Sequence, residues 1–244
     1  MPTQSVIQFS GKAINKTQVV VSFTLFPGSN AAELGCYVAV WQGSEICTSA
    51  EAVQKHVILT QNHSGEITLD NLLMSGQDYV IGLGLHAGSI EETIYSCLKV
   101  DAGSVINKPL TAILSNVSVS SADIGTDFLV AKIESPNFDE VKIDQGWIAL
   151  FPGKYKETMK DGINVVAISN TTVGQHPEKI IMKNIPNGLS RFETYTIIYG
   201  VGLNQANEPD YQKMIGTYTF IVWRSKIYIH TYLDLPLFPT LCIF

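Results

Sequence analysis

The chain is the same pattern written twice. Val19-Val20-Val21-Ser22-Phe23 with Pro27 is echoed by Phe128-Leu129-Val130-Ala131-Lys132 with Pro136, at an offset of 109. The order then holds along the chain. Tyr37-Val38-Ala39-Val40-Trp41-Gln42-Gly43 answers to Trp147-Ile148-Ala149-Leu150-Phe151-Pro152-Gly153 at 110, and Ile67 to Leu72 answers to Ile180 to Ile185 at 113. Gly82-Leu83-Gly84-Leu85 meets Gly200-Val201-Gly202-Leu203 at 118, and Leu98-Lys99-Val100 meets Phe220-Ile221-Val222 at 122. The offset only grows, as small loop insertions in the second copy require. Two copies of about 100 residues are too long for solenoid units and read as two domains. The expected boundaries are 1–105 and 106–222, joined through Asp101-Ala102-Gly103-Ser104 and Val105 to Pro109. Residues 223–244 match nothing in the first copy and form a tail.

Within each copy the apolar runs are five to eight residues long and rich in Val, Ile, Thr, Tyr and Phe, with Gly, Pro, Asn and Ser clusters between them. These are strand signals. Six or seven such runs per copy fit the roughly seven strands of a sandwich of about 100 residues. Helical periodicity is confined to Thr48 to His56, where Thr48 or Ser49 with Glu51 supplies a cap and the spacing predicts about two helical turns. The expected fold class is all-β: two tandem β-sandwiches plus an apolar C-terminal tail.

The residues also carry a family resemblance. Val21-Ser22-Phe23-Thr24 ending at Pro27 looks like the second strand of a fibronectin type III domain, with Phe23 in place of that family's tryptophan. Leu72-Leu73-Met74-Ser75-Gly76-Gln77-Asp78-Tyr79 is similar to the family's stretch leading into its sixth strand, which implies that Tyr79 is a corner tyrosine. The second copy departs from it, with Pro186-Asn187-Gly188 and an insertion before Thr194-Tyr195-Thr196. Gly146-Trp147-Ile148-Ala149-Leu150-Phe151 resembles the Asp-Trp-Ile-Gly-Leu-Phe strand of immunoglobulin-like domains found on phosphatases and phosphoinositide enzymes, with Gly146 at the aspartate. Both resemblances imply a fibronectin-III-like or immunoglobulin-like sandwich, and neither implies an activity.

Composition narrows the partners. Sixteen Lys and Arg against 22 Asp and Glu give a net charge of −6, which opposes a nucleic-acid backbone. No stretch reaches the roughly 18 to 20 apolar residues of a membrane-spanning helix. The amino end, Met1-Pro2-Thr3-Gln4-Ser5, lacks a basic cluster followed by an apolar run, so the expectation is a cytoplasmic chain or a mature secreted form. Cys36, Cys47, Cys97 and Cys242 form no metal-ligand spacing; the first three fall on strand-like segments and read as buried thiols, with Cys36–Cys97 or Cys47–Cys97 pairing as the alternative. Sequons stand at Asn15, Asn62, Asn116 and Asn170.

Motifs for catalysis are weak. His56, His63, His86, His176 and His230 make no clamping pair, and no Gly-x-Ser-x-Gly elbow exists. Gly82-x-Gly84 with Gly88 lacks phosphate-loop spacing and reads as relief of crowding on a strand. Asn137, Asp139, Glu140 and Asp144 gather oxygen donors in one loop, a weak calcium candidate beside the ordinary reading of an acidic loop. The expectation is a protein without catalytic residues and without a cofactor.

The most informative chemistry lies on the third strand. Tyr37, Ala39 and Trp41 share one face there and Val38 and Val40 the other; Trp147, Ala149 and Phe151 repeat the order, with Ile148 and Leu150 opposite. Both faces are apolar, so something beyond the sheet must cover one of them. Tyr37, Trp41, Trp147 and Phe151 are therefore the ligand or interface candidates, and the cover is domain packing, a second subunit or a ligand stacked on the rings. The tail carries about ten large apolar side chains between Ile227 and Phe244, interrupted by Pro236 and Pro239, and these too need cover. It is an element for self-association or else incidental sequence. The function expected is binding or structural, toward protein or glycan. The alternatives are an accessory domain pair of a hydrolase and a secreted toxin-like protein.

Overall fold

The computed structural model describes residues 4–5, 7–45, 52–85, 94–134, 136, 141–142, 146–154, 162–168, 172–173, 178–202, 206 and 208–223. In chain order the first strands are β1 (Gln4–Ser5), β2 (Gln8–Asn15), β3 (Gln18–Thr24), β4 (Tyr37–Gln42), β5 (Gln54–Val57), β6 (Ser64–Leu69), β7 (Tyr79–Gly84), β8 (Ile94–Val100), β9 (Pro109–Leu110) and β10 (Ala112–Leu114). They are followed by β11 (Asn116–Ile124), β12 (Leu129–Glu134), β13 (Val141–Lys142), β14 (Gly146–Pro152), β15 (Asn164–Ile168), β16 (Thr172–Val173), β17 (Glu178–Met182), β18 (Thr194–Val201) and β19 (Met214–Ile221), with a 3-10 turn at Tyr211–Lys213. The fold is all-β and sandwich-like, as the strand signals require. The segment read as a helix departs from this expectation at its end: Gln54–Val57 is strand β5, paired antiparallel with β4. Two turns of helix cannot bury both faces, whereas β5 extends a sheet whose hydrogen bonds β4 already offers. Residues 48–51 of that segment lie outside the described residues.

The same pairings occur in both halves. In the first, one sheet runs β6-β3-β2-β9 and the other β10-β8-β7-β4-β5; in the second, β11-β12-β17 stands beside β1-β19-β18-β14-β15. A small β13-β16 pair accompanies the latter. Period-two alternation dictates the packing: Val19, Val21 and Phe23 of β3 and Leu129, Ala131 and Ile133 of β12 all point inward and are buried.

Register corrects three of the sequence offsets. Val19 faces Leu69 while Leu129 faces Met182, so Val19 corresponds to Leu129 and not to Phe128, which is 38% exposed. A slip of one residue exchanges inner and outer faces, which a match of apolar letters does not detect when both neighbours are apolar. Likewise Tyr37 faces Gly84 and Trp147 faces Gly200, making Gly84 the counterpart of Gly200; Tyr79 facing Val100 and Tyr195 facing Phe220 pairs Val100 with Phe220.

The halves are tied by their edges. The short strand β1, at the start of the chain, adds to β19 of the second half, and β10, just before β11, adds to β8 of the first. β9 adds to β2, so the chain beyond Val105 hydrogen-bonds to the first half before β11 begins. Ile7 N–H donates to Ile215 O and Ser29 Oγ to Gln212 O across the same junction. One buried apolar cluster runs through both halves, from Ile7 to Val222.

Candidate binding surface

The two aromatic stripes occupy the outer faces of β4 and β14, and both are covered. Tyr37, Ala39 and Trp41 pack with Val80, Ile94 and Cys97. The rings lie across glycines of the neighbouring strand: a Cβ at Gly84 would stand 2.3 Å from Tyr37 Cζ, and one at Gly82 would stand 3.1 Å from Trp41 Cζ3. Lys55 Nζ sits 4.8 Å over the Tyr37 ring, a cation–π contact worth about 0.5–1 kcal/mol. In the second half Trp147, Ala149 and Phe151 pack with Ile198, Met214 and Phe26, the last reaching over from the first half. Tyr211 meets both rings edge-on, at 5.2 Å from Trp147 and 5.9 Å from Phe151. Trp147 Nε1 donates to Gly202 O at 3.0 Å, and Gly200 leaves its indole the room it fills. Packing of one half on the other thus contributes the cover over β14, and all four interface candidates are buried.

Four local devices recur at equivalent positions. Tyr79 Oη accepts from Leu73 N–H at 2.8 Å, and Tyr195 Oη accepts from Ser190 N–H at 3.0 Å. Gly43 and Gly153, at φ 111° and 88°, donate to Asp78 O and Thr194 O, each at 2.7 Å. Asn71 and Asn184 both take left-handed backbone, at φ 62° and 55°. Gln54 Nε2 donates to Asp70 O at 2.6 Å and Asn164 Nδ2 to Lys183 O at 3.1 Å, so each of β5 and β15 is pinned to the end of the strand in the opposing sheet.

With the faces closed, open surface lies at the edges. β5 and β15 end the two five-stranded sheets opposite the capped β8 and β19. Beside β5 runs a groove of about 660 Å³, bounded by Val53 to His56 on one side and by Asn71 to Leu73 with Gln77 and Tyr79 on the other. Lys55 and His56 are the only acidic or basic side chains on its lining among the described residues. Val53 is 51% exposed and Val57 55%, with Leu59 and Leu73 exposed nearby. Sequence reasoning misses this site because Gln54-Lys55-His56-Val57 has no apolar alternation to mark a strand; the alternation of half-buried Gln54 and His56 with exposed Lys55 and Val57 emerges only in the fold. A second exposed apolar pair joins Phe192 and Trp223, edge-to-face at 6.2 Å. Phe192 holds φ 65°, an outlier for a bulky side chain, fixed by its N–H donating to Val222 O at 2.8 Å.

The thiols serve packing. Cys36 in the common core and Cys97 under the Tyr37 stripe are free and buried, so the pairing of Cys36 with Cys97 does not occur. Burial pushes Cys36 up to about 12 and Cys97 up to about 11, opposed by the charges of Lys213 and Lys99. Cys47, Cys242, His86, His176, His230, the calcium candidates Asp139, Glu140 and Asp144, and the tail beyond Trp223 lie outside the described residues. Among the described residues no group of three or more His, Cys, Asp or Glu is placed to hold a metal ion. No helix there is long and apolar enough to cross a membrane. The sequence matches no protein-family model and no curated protein.

Proposed function

We propose that this chain is a non-catalytic binding or assembly protein built from two tandem fibronectin-III-like or immunoglobulin-like sandwiches. The observation that carries the reading is the reciprocal edge exchange, in which β1 caps β19 and β10 caps β8. It fastens the halves into one scaffold on which loops and remaining edges hold fixed positions, the usual basis for a sandwich that binds. The corner hydrogen bonds of Tyr79 and Tyr195 support the family-like reading, since a tyrosine early in the sixth strand bonding back upstream is a hallmark of that architecture. Protein and glycan are the partner classes. The test is a glycan array with the purified chain, beside light scattering across a concentration series. Retention of a glycan or a concentration-dependent rise in mass supports the proposal. A monomer that retains nothing and hydrolyses chromogenic esters or glycosides moves the chain to the enzyme class.

The tail belongs to the same proposal as an element of self-association. Val222 is fully buried and its N–H donates to Glu193 O at 3.1 Å, while Trp223 is 67% exposed, so the described core closes at Val222. Cutting after Val222 is expected to change sedimentation while leaving the melting temperature in place. A fall of more than about 10 °C makes residues 223–244 part of a core instead.

A further inference from the structure

We infer that the outer edge of β5, with the groove beside it, is a strand-accepting site for an extended segment of a partner protein in which aliphatic residues alternate with acidic ones. The inference rests on the binding reading above and names its partner and place. Ile58 N–H donates to Cys36 O, and His56 lies opposite Val38. Antiparallel alternation therefore turns the backbone groups of Gln54, His56 and Ile58 toward β4 and those of Lys55 and Val57 outward. Among the described residues no strand pairs with that outer side.

The molecule already uses this mode twice, since a two-residue segment suffices to cap β19 and a three-residue segment to cap β8. Among the described residues the opposite ends of those same sheets carry no such caps. At β5 the edge is also apolar on its open side, through Val53 and Val57, and an exposed aliphatic edge is a template for pairing. Main-chain bonds to the edge would supply affinity and alternate side chains specificity. The charge sets the second half of the pattern. Lys55 and His56 line the groove from opposite faces of β5 with no carboxylate among its lining residues, so an acidic side chain on either face of the incoming strand meets one of them. Gln77 adds an amide that can meet side-chain oxygens of the incoming strand.

The test uses the full chain with a short capped peptide alternating valine and glutamate, and its valine–lysine counterpart. Binding of the acidic peptide is expected to slow amide hydrogen exchange at Lys55 and Val57 by about tenfold. The lysine peptide is expected to bind more weakly by about fivefold, a gap that narrows as salt rises. Val57→Pro removes an outward N–H that the sheet does not use and is expected to weaken binding by about tenfold with the melting temperature retained. Val57→Glu is the second variant, expected to weaken binding of the acidic peptide through like charge at the edge should the proline disturb β5. No protection at Lys55 and Val57, equal binding of the two peptides, or unchanged affinity in both variants overturns the assignment. A glycan or protein bound elsewhere on the chain, with β5 unprotected, removes this site while leaving the binding reading intact; absence of any binding partner in the earlier tests removes both.

Discussion

The outer faces of β4 and β14 solve one packing problem in two ways. Each presents an aromatic, a small residue and a second aromatic, and each lays a ring into the gap left by a glycine on the adjacent strand. Over β14, however, part of the cover is borrowed: Phe26 comes from the first half and Tyr211 from the turn before β19. Over β4, Lys55 caps the Tyr37 ring from the neighbouring strand of the same sheet. A repeated sequence therefore gives a repeated frame, but not equal independence. Part of the stability of the second half is held by the first.

The sharpest way to break this comparison is to empty the borrowed face. Trp147→Ala is expected to destabilise by about 3–5 kcal/mol, measured by chemical denaturation, because it removes a fully buried indole and leaves Phe26 and Tyr211 facing a void. Phe26→Ala follows at about 3 kcal/mol, and its effect should appear as faster hydrogen exchange in β14 and β18 rather than around β3, although Phe26 lies just beyond β3. If exchange quickens only within the first half, the borrowed cover is not structural. Filling the glycine gaps comes next. Gly200→Ala and Gly84→Ala should each cost about 1–3 kcal/mol, because the added Cβ would stand 2.2 Å from Trp147 Cζ2 and 2.3 Å from Tyr37 Cζ. Similar losses in the two halves show that the frame is the same. Tyr79→Phe and Tyr195→Phe test it more gently, at about 1–2 kcal/mol each, since each leaves the N–H of Leu73 or Ser190 without its partner.

The last effect is alkaline and arises from two thiols of the first half. In the folded chain Cys36 and Cys97 keep their protons up to about 12 and about 11, above the ordinary value of 9.0. Unfolding above 9.0 releases those protons, so this contribution to stability is fully present below 9.0 and is lost as pH rises through the folded values. The slope is at most about 1.4 kcal/mol per pH unit for each thiol. Peptide mapping after alkylation at neutral pH should find both thiols unmodified while the chain is folded. Labelling of either one without unfolding contradicts its burial.

Much of this frame was legible because strand signals are local. The short Val-, Ile- and aromatic-rich runs mark the strands, and the order Tyr37, Ala39, Trp41 with Val38 and Val40 opposite shows that both faces of that strand are apolar. The corner at Tyr195 was less legible. The insertion after Pro186 altered the spacing that marks Tyr79, yet the hydroxyl reaches Ser190 N–H all the same. The offsets failed at β3, where Phe128 and Leu129 are both apolar and only pairing with Met182 distinguishes them. The β5 groove was hidden for another reason. Gln54 to Val57 has weak intrinsic preference, and it is a strand because β4 stands beside it with open hydrogen bonds.

The sequence by itself determined the all-β class, the repeated order of its strands and the aromatic stripes that had to be covered, since each follows from the period and chemistry of neighbouring residues. Only the tertiary structure decided what covers those stripes, which edges are capped and which stay open. Those outcomes depend on contacts such as Phe26 with the cluster around Trp147, or β1 with β19, between residues far apart in the chain, and no local pattern records which distant partner will lie closest once the core has formed.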